Sequence, residues 1–193
     1  MDLLQSLRTH FGHEAFREGQ EAVIRALLDG ESALALFPTG AGKSLCYQLP
    51  AAINDGRTAI VVSPLIALMH DQVAQLGAMG IRAALLNSSQ PAAHQTETLQ
   101  NARAGKYKLL YLSPERLARV DTLEWLRDLP ISYFVIDEAH CISEWGHEFR
   151  TEYRELHSLR THFPEVPIAA FTASATSQVR GDIAEQLQPR EAD

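Results

Sequence analysis

Lys43 and Ser44 close the run Pro38-Thr39-Gly40-Ala41-Gly42-Lys43-Ser44. Gly40 and Gly42 let the backbone curl with its N–H groups pointing inward, which makes a nest for an anion. A helix opening at Lys43 adds the partial positive charge of its N-terminus. Lys43 can then reach the β- and γ-phosphates of a nucleotide, and the Ser44 hydroxyl can ligate magnesium. The usual pattern G-x-x-x-x-G-K-[ST] is not fully met, because Phe37 occupies the first glycine position. A second group of residues complements this run. Val135-Ile136-Asp137-Glu138-Ala139-His140 ends an apolar stretch on two adjacent carboxylates. Asp137 is the candidate to hold the metal, directly or through water. Glu138 is the candidate to position and deprotonate an attacking water. Adjacent strand residues point to opposite faces, so both serve one site only if the chain turns where the strand ends.

Such groups need elements that bring residues far apart in the chain to one edge. Short apolar runs predict strands at Ala33–Phe37, Thr58–Val62, Ala83–Asn87, Leu109–Leu112, Tyr133–Ile136 and Ile168–Phe171. They are continuously apolar, as strands buried on both faces should be. Between them, helical patterns fall at Gln20–Leu28, Lys43–Ile53, Leu65–Leu76, Ala92–Ala104 and Gln178–Leu187. In Leu65–Leu76, the residues Leu65, Met69, Val73 and Leu76 share one helical face. Strand–helix alternation predicts an α/β fold, a mainly parallel sheet with helices on both faces. Ligands of such sheets bind beyond the carboxyl ends of the strands. The runs PTGAGKS, SPL, SSQ, SPE, DEAH and TASAT each follow a predicted strand, so the distinctive residues gather on that edge.

Composition sets bounds on the function. A chain of 193 residues, 46% hydrophobic, can build one domain with a sizeable core. The N-terminal MDLLQSLRTHFGHEAF is amphipathic and does not read as a signal peptide. No apolar run has the length of a membrane span. Cys46 and Cys141 lie far apart, which suits a reduced compartment better than a disulfide framework. The net charge of -7 argues mildly against gripping nucleic acid by charge alone.

Taken in order, these motifs resemble the first RecA-like lobe of RecQ-family DNA helicases of superfamily 2, from about Leu3 to Leu187. FGHEAFREGQEAVI resembles the family's N-terminal motif, which implies adenine contacts for Arg17 and Gln20, with the Gln20 amide reading the base edge. FPTGAGKSLCYQLPA resembles the phosphate loop, which implies that Thr39, Gly40, Ala41, Gly42, Lys43 and Ser44 bind ATP. VVSPLIALMHDQV resembles a motif whose loop, here Ser63 and Pro64, contacts single-stranded DNA. YLSPERL matches a further run, and DEAHCISEWGHEFRTEY resembles the acidic motif continuing into an aromatic-rich loop. FTASAT, with Thr172 and Ser174, resembles the motif coupling hydrolysis to strand movement. The chain departs from the family's usual residues at Glu18, Phe37, Glu144, Glu148, Thr151 and Ser174. None of these removes a group from the proposed catalytic set, although Glu144 adds negative charge near the proposed DNA path.

The resemblance implies ATP and Mg²⁺ as cofactors and single-stranded or partially duplex DNA as partner. It also implies 3′-to-5′ translocation in recombination and repair, with Lys43, Asp137 and Glu138 as the catalytic set. It implies one lobe over residues 1–188 with a polar tail at 189–193. The family's second RecA-like lobe, with its arginine finger, lies outside this chain. A monomer, no membrane, and a cytoplasmic location (nucleoid-associated in a bacterium, nuclear in a eukaryote) follow from the same likeness.

Several alternatives stay open. Trp145, Phe149 and Tyr153 are spaced as a buried helical stripe. The resemblance instead assigns this loop, with His140, His147 and Arg150, to coupling and to unstacked bases. Cys141, His140 and His147 lack the paired spacing of a zinc site. His157 and His162 read as surface residues. A nucleotide- or DNA-binding module without turnover, or another P-loop ATPase, is the competing function. The run L-S-G-G-Q of transporter ATPases and the N-K-x-D of GTPases are both missing from the sequence.

Overall fold

Among the described residues six parallel strands carry the site. In the computed structural model they are β1 (Ala33–Leu36), β2 (Thr58–Val62), β3 (Ala83–Leu86), β4 (Leu109–Leu112), β5 (Ile131–Ile136) and β6 (Ile168–Thr172). They form one sheet in the order β1-β6-β5-β2-β4-β3, and every pairing is parallel. The structure describes residues 2–38, 42–54, 56–143, 150, 153, 156, 158–173 and 176–187. Thr39, Gly40, Ala41, Glu144, Trp145, Gly146, His147, Glu148, Phe149, Thr151, His157, Ser174 and the tail 189–193 lie outside the described residues.

The helices are α1 (Leu3–Phe11), α2 (Gln20–Leu28), α3 (Lys43–Ile53), α4 (Ile66–Ala78), α5 (Ala92–Arg103), α6 (Pro114–Leu117), α7 (Val120–Leu126), α8 (Ser158–His162) and α9 (Ser177–Leu187). Alternate strand residues face alternate layers. Ala59, Val61, Tyr111, Tyr133, Val135 and Phe171 pack with Leu27, Cys46, Tyr47, Met69 and Leu76 of α2, α3 and α4. Ile60, Val62, Leu112, Phe134 and Ile136 pack with Ala102, Trp125, Leu159 and Ile183 of α5, α7, α8 and α9. A smaller cluster of Leu3, Leu7, Ile24, Leu45 and Leu49 fastens α1 over α2 and α3.

Two expectations need correction. Not every strand is buried on both faces. β1 is an edge strand with Leu34 and Leu36 exposed, because its outer side has no neighbour among the described residues. Leu65 does not join the apolar face of α4. It stands one residue before the helix and is 43% exposed, while Met69 and Leu76 are buried. The amphipathic N-terminus is a full helix. Asp2 accepts from the N–H groups of Leu4 and Gln5 at its start, and Gly12 ends it at φ +70°.

Arg160 ties the far end of this scaffold together. It is 8% exposed. It donates to the carbonyls of Leu187 (3.0 Å) and Val166 (2.8 Å) and to Ser32 Oγ (3.0 Å), joining α8, α9 and the entries to β1 and β6. Burial lowers its guanidinium pKa from the usual arginine value. Arg160→Met keeps the stem but strands those acceptors. It is expected to lower stability by about 2–3 kcal/mol, read by urea unfolding. A loss within the scatter of surface substitutions would show that these bonds carry little.

Candidate active site

β1 and β5 flank β6, so the loops after their carboxyl ends meet above Thr172. Phe37 leads from β1 toward the phosphate loop. It is buried, its N–H donates to the Thr172 carbonyl (3.0 Å), and its ring lies 6.1 Å from that of Phe171. The residue that breaks the glycine pattern is therefore an aromatic anchor for the start of the loop. At the loop's end Gly42 has φ +78° and opens α3 with no side-chain cap. Any other residue there would be strained by that φ, and its Cβ, 2.5 Å from Gln20 Nε2, would push the Gln20 amide aside.

The buried Gln20 braces this corner. Its Oε1 accepts from the Arg17 N–H (2.7 Å) and its Nε2 donates to the Gly42 carbonyl (2.9 Å). The exposed Arg17 passes beside Gly42, with Cδ 3.6 Å from where a Cβ would be. The amide expected to read a base edge thus also holds the helix that carries Lys43.

Lys43 Nζ lies 2.7 Å from Asp137 Oδ1 and 3.3 Å from Glu138 Oε1, across 94 and 95 residues of sequence. Both carboxylates reach one ammonium because Glu138 takes φ +53°, ψ +44°. It is the one non-glycine residue with positive φ among the described residues. That left-handed turn swings the second carboxylate back toward the first, at a cost of about 1–3 kcal/mol. The Glu138 N–H donates to Asp137 Oδ1 (3.0 Å), and the buried Tyr153 hydroxyl donates to the Asp137 carbonyl (2.9 Å). Tyr153 is thus a core residue that braces the acidic turn, so of the aromatic stripe this member follows the packing alternative. Sequence reading missed that bond, for which only the aromatic spacing was a signal.

Burial pushes the Asp137 carboxyl above its usual range, the Lys43 ammonium opposes that only in part, and Glu138 adds to it. Burial works against the Lys43 charge, but Asp137 and then Glu138 outweigh it and hold its pKa above the ordinary lysine value. His140, in a 3₁₀ turn over Ala139–Ile142, places Nδ1 2.8 Å from Thr172 Oγ1 and Nε2 3.5 Å from Glu138 Oε2. It links the acidic turn to the end of β6. Ser44 is half-buried beside Lys43, Ser63 is buried at the end of β2 with its Oγ accepting from the Leu65 N–H (3.2 Å), and Pro64 is half-buried. Arg150 is exposed, with its N–H donating to the Cys141 carbonyl (3.1 Å).

These residues fit a magnesium polyphosphate. An uncapped helix N-terminus, the left-handed Gly42 and a lysine suit phosphate oxygens. One buried carboxylate and one hydroxyl suit Mg²⁺, which takes few protein ligands and completes its shell with water and phosphate. Among the described residues no three His, Cys, Asp or Glu side chains gather as a closed metal site.

The fold is of the RecA-like α/β class. It is similar to the hypothetical ATP-dependent RNA helicase from Sulfolobus tokodaii, with a TM-score of 0.73 and 20% identity over 98% of this chain and 55% of that one. At that identity the likeness shows the fold alone. The chain belongs to the DEAD/DEAH box helicase family, whose model matches residues 17–181. It is 48% identical over 184 residues to the ATP-dependent DNA helicase RecQ of Haemophilus influenzae, covering 95% of this chain and 30% of that protein. It is also 48% identical over 187 residues to the probable ATP-dependent DNA helicase RecS of Bacillus subtilis, covering 96% and 37%. The chain therefore spans about a third of the length of these curated relatives.

Asp137→Asn removes a charge that burial disfavours. The sign follows from the raised carboxyl pKa. Protonated Asp137 suits the fold, so the wild type loses this contribution as pH rises through the folded pKa. The ligand-free variant is expected to be more stable than the wild type at pH 7, with the difference closing as pH falls below the ordinary aspartate range. Thermal unfolding across that range reads this, and an unchanged difference would refute it.

Proposed function

We propose that this chain is the ATP-binding lobe of an ATP-dependent DNA helicase of the RecQ type. In this reading it couples ATP hydrolysis to 3′-to-5′ movement along single-stranded DNA and to unwinding in recombination and repair. The observation that carries the reading is Lys43 held between Asp137 and Glu138 at the carboxyl edge of the sheet. Magnesium ATP, when bound, would supply the γ-phosphoryl group and the counter-charge that lets water attack it.

The chain's own residues divide the remaining work. Lys43 gives up its carboxylate partners and neutralises phosphate charge, which an N-terminal ammonium of α3 is placed to do. Thr39, Gly40, Ala41 and Gly42 are assigned to the phosphates, and Arg17 and Gln20 to the adenine side. Ser44 and Asp137 would hold the metal. Glu138 orients a water and takes its proton at a carboxylate oxygen. His140 and Thr172, already hydrogen-bonded, carry the state of Glu138 to the end of β6 and on to Ser174. Ser63, Pro64, Trp145, His147, Phe149 and Arg150 meet the DNA strand. The protein acts as a monomer on DNA in the cytoplasm, or in the nucleus of a eukaryote. No helix among the described residues is long and apolar enough to cross a membrane.

The lobe supplies half of the catalytic groups in this reading. A second RecA-like lobe would add the arginine finger, worth about 10³–10⁵ in rate. These 193 residues alone are expected to bind magnesium nucleotide weakly and to unwind nothing, whereas the full-length protein, extended through a second lobe, is expected to hydrolyse ATP faster with single-stranded DNA. ATPase rates with and without DNA on both proteins read this, and robust DNA-stimulated turnover by the short chain would overturn it. In the full-length protein Glu138→Gln is expected to keep nucleotide binding and lose at least about 10²-fold in turnover. Normal hydrolysis by that variant would remove Glu138 from its role.

A further inference from the structure

Behind the phosphate site, α3 and α4 are joined by polar side chains inside an otherwise apolar layer. Tyr47, one turn below Lys43 on α3, is 1% exposed and donates its hydroxyl to Gln72 Oε1 of α4 (3.1 Å). Gln48 Nε2 reaches the same oxygen at 3.5 Å and the Tyr111 hydroxyl of β4 at 3.2 Å. The Tyr133 hydroxyl of β5 donates to the Tyr47 carbonyl. Around them lie Met69, Leu76, Val135 and Phe171.

A core of this kind gains little stability from such a network. Buried polar groups lose hydration, and apolar side chains of the same shape would pack there at nearly equal stability. What directional bonds add is a unique register between the parts they join. The parts here are specific. α3 begins at Lys43, and α4 begins directly after Ser63, Pro64 and Leu65. Among the described residues Gln72 is the α4 side chain bonded to α3 in this network, and its single oxygen receives both Tyr47 and Gln48. A shift of α3 when its N-terminus takes up phosphate would therefore be handed to α4, and through it to the Ser63–Pro64 turn.

We propose that Gln72 is a positioning residue. Through Tyr47 and Gln48 it ties the placement of the Ser63–Pro64 turn to the phosphate end of α3, and so sets how strongly single-stranded DNA stimulates nucleotide turnover. This rests on the reading of the chain as a helicase lobe. Gln72 touches neither nucleotide nor DNA in this account.

The test uses the full-length protein carrying Gln72→Met, which keeps the length of the side chain and removes its hydrogen bonds. ATP affinity is read with a fluorescent nucleotide analogue, DNA-free turnover and its KM by steady-state ATPase, and coupling by the oligothymidine concentration giving half-maximal stimulation. The expected result is nucleotide affinity and DNA-free turnover within about twofold of wild type, with half-maximal stimulation displaced about tenfold, the size of an ordinary coupling effect. Tyr47→Phe is expected to give the same displacement, and the double variant no more than either alone. Unchanged stimulation in Gln72→Met overturns the proposal. So does a loss of stimulation that merely tracks a loss of nucleotide binding or of the folded fraction. A wild-type protein without DNA-stimulated ATPase takes down the underlying helicase reading as well, whereas normal wild-type stimulation with an insensitive variant removes only the role of Gln72.

Discussion

The ion pair of Lys43 with the Asp137–Glu138 turn is the constraint around which the other features of the site are arranged. It joins residues 94 positions apart, so it exists only if β1 and β5 end at the same height on either side of β6. That height depends on a parallel sheet buried in its middle, with Phe134, Val135, Phe171 and their neighbours packed on both faces. It also depends on a backbone conformation at Glu138 that a glutamate seldom takes. The surrounding structure supports that conformation with three bonds: Tyr153 to the Asp137 carbonyl, the Glu138 amide to the Asp137 carboxylate, and the ammonium itself.

A buried carboxylate beside a lysine is a poor choice for stability and a good one for exchange. Asp137 is disfavoured as a charge where it lies, and Lys43 compensates only partly. The pair is thus ready to be traded for stronger partners. In the proposed function a divalent cation would relieve the carboxylate, and phosphate would relieve the ammonium. Strain at Glu138 belongs to the same pattern, in which local cost collects where ligands are meant to repay it.

Much of this was legible in the residues. The apolar runs located all six strands, and Gln20–Leu28 and Lys43–Ile53 form the helices that their spacing predicts. Glycine-rich and acidic runs at strand ends pointed to the candidate site, because the carboxyl edge of a parallel sheet collects such loops. Other parts were hidden for physical reasons. α6 and α7 are short, and their apolar faces come from tertiary packing rather than a long period. Leu65 matched a helical stripe by spacing but stands before the first turn. Nothing in the pair Asp-Glu announces a left-handed backbone. Nor does a glutamine in a helix reveal that it will meet a tyrosine 25 positions away.

β1 carries one more consequence. Among the described residues its outer backbone edge pairs with nothing, and Leu34 and Leu36 stand exposed beside a groove lined by Ile183, Ala184 and Leu187 of α9. An open, apolar edge of this kind is a template for another strand. In a concentrated solution of this chain alone, that edge offers a strand of a second copy backbone groups to pair with. A charged side chain in place of Leu34 is the natural remedy for anyone preparing the lobe for crystals or spectra.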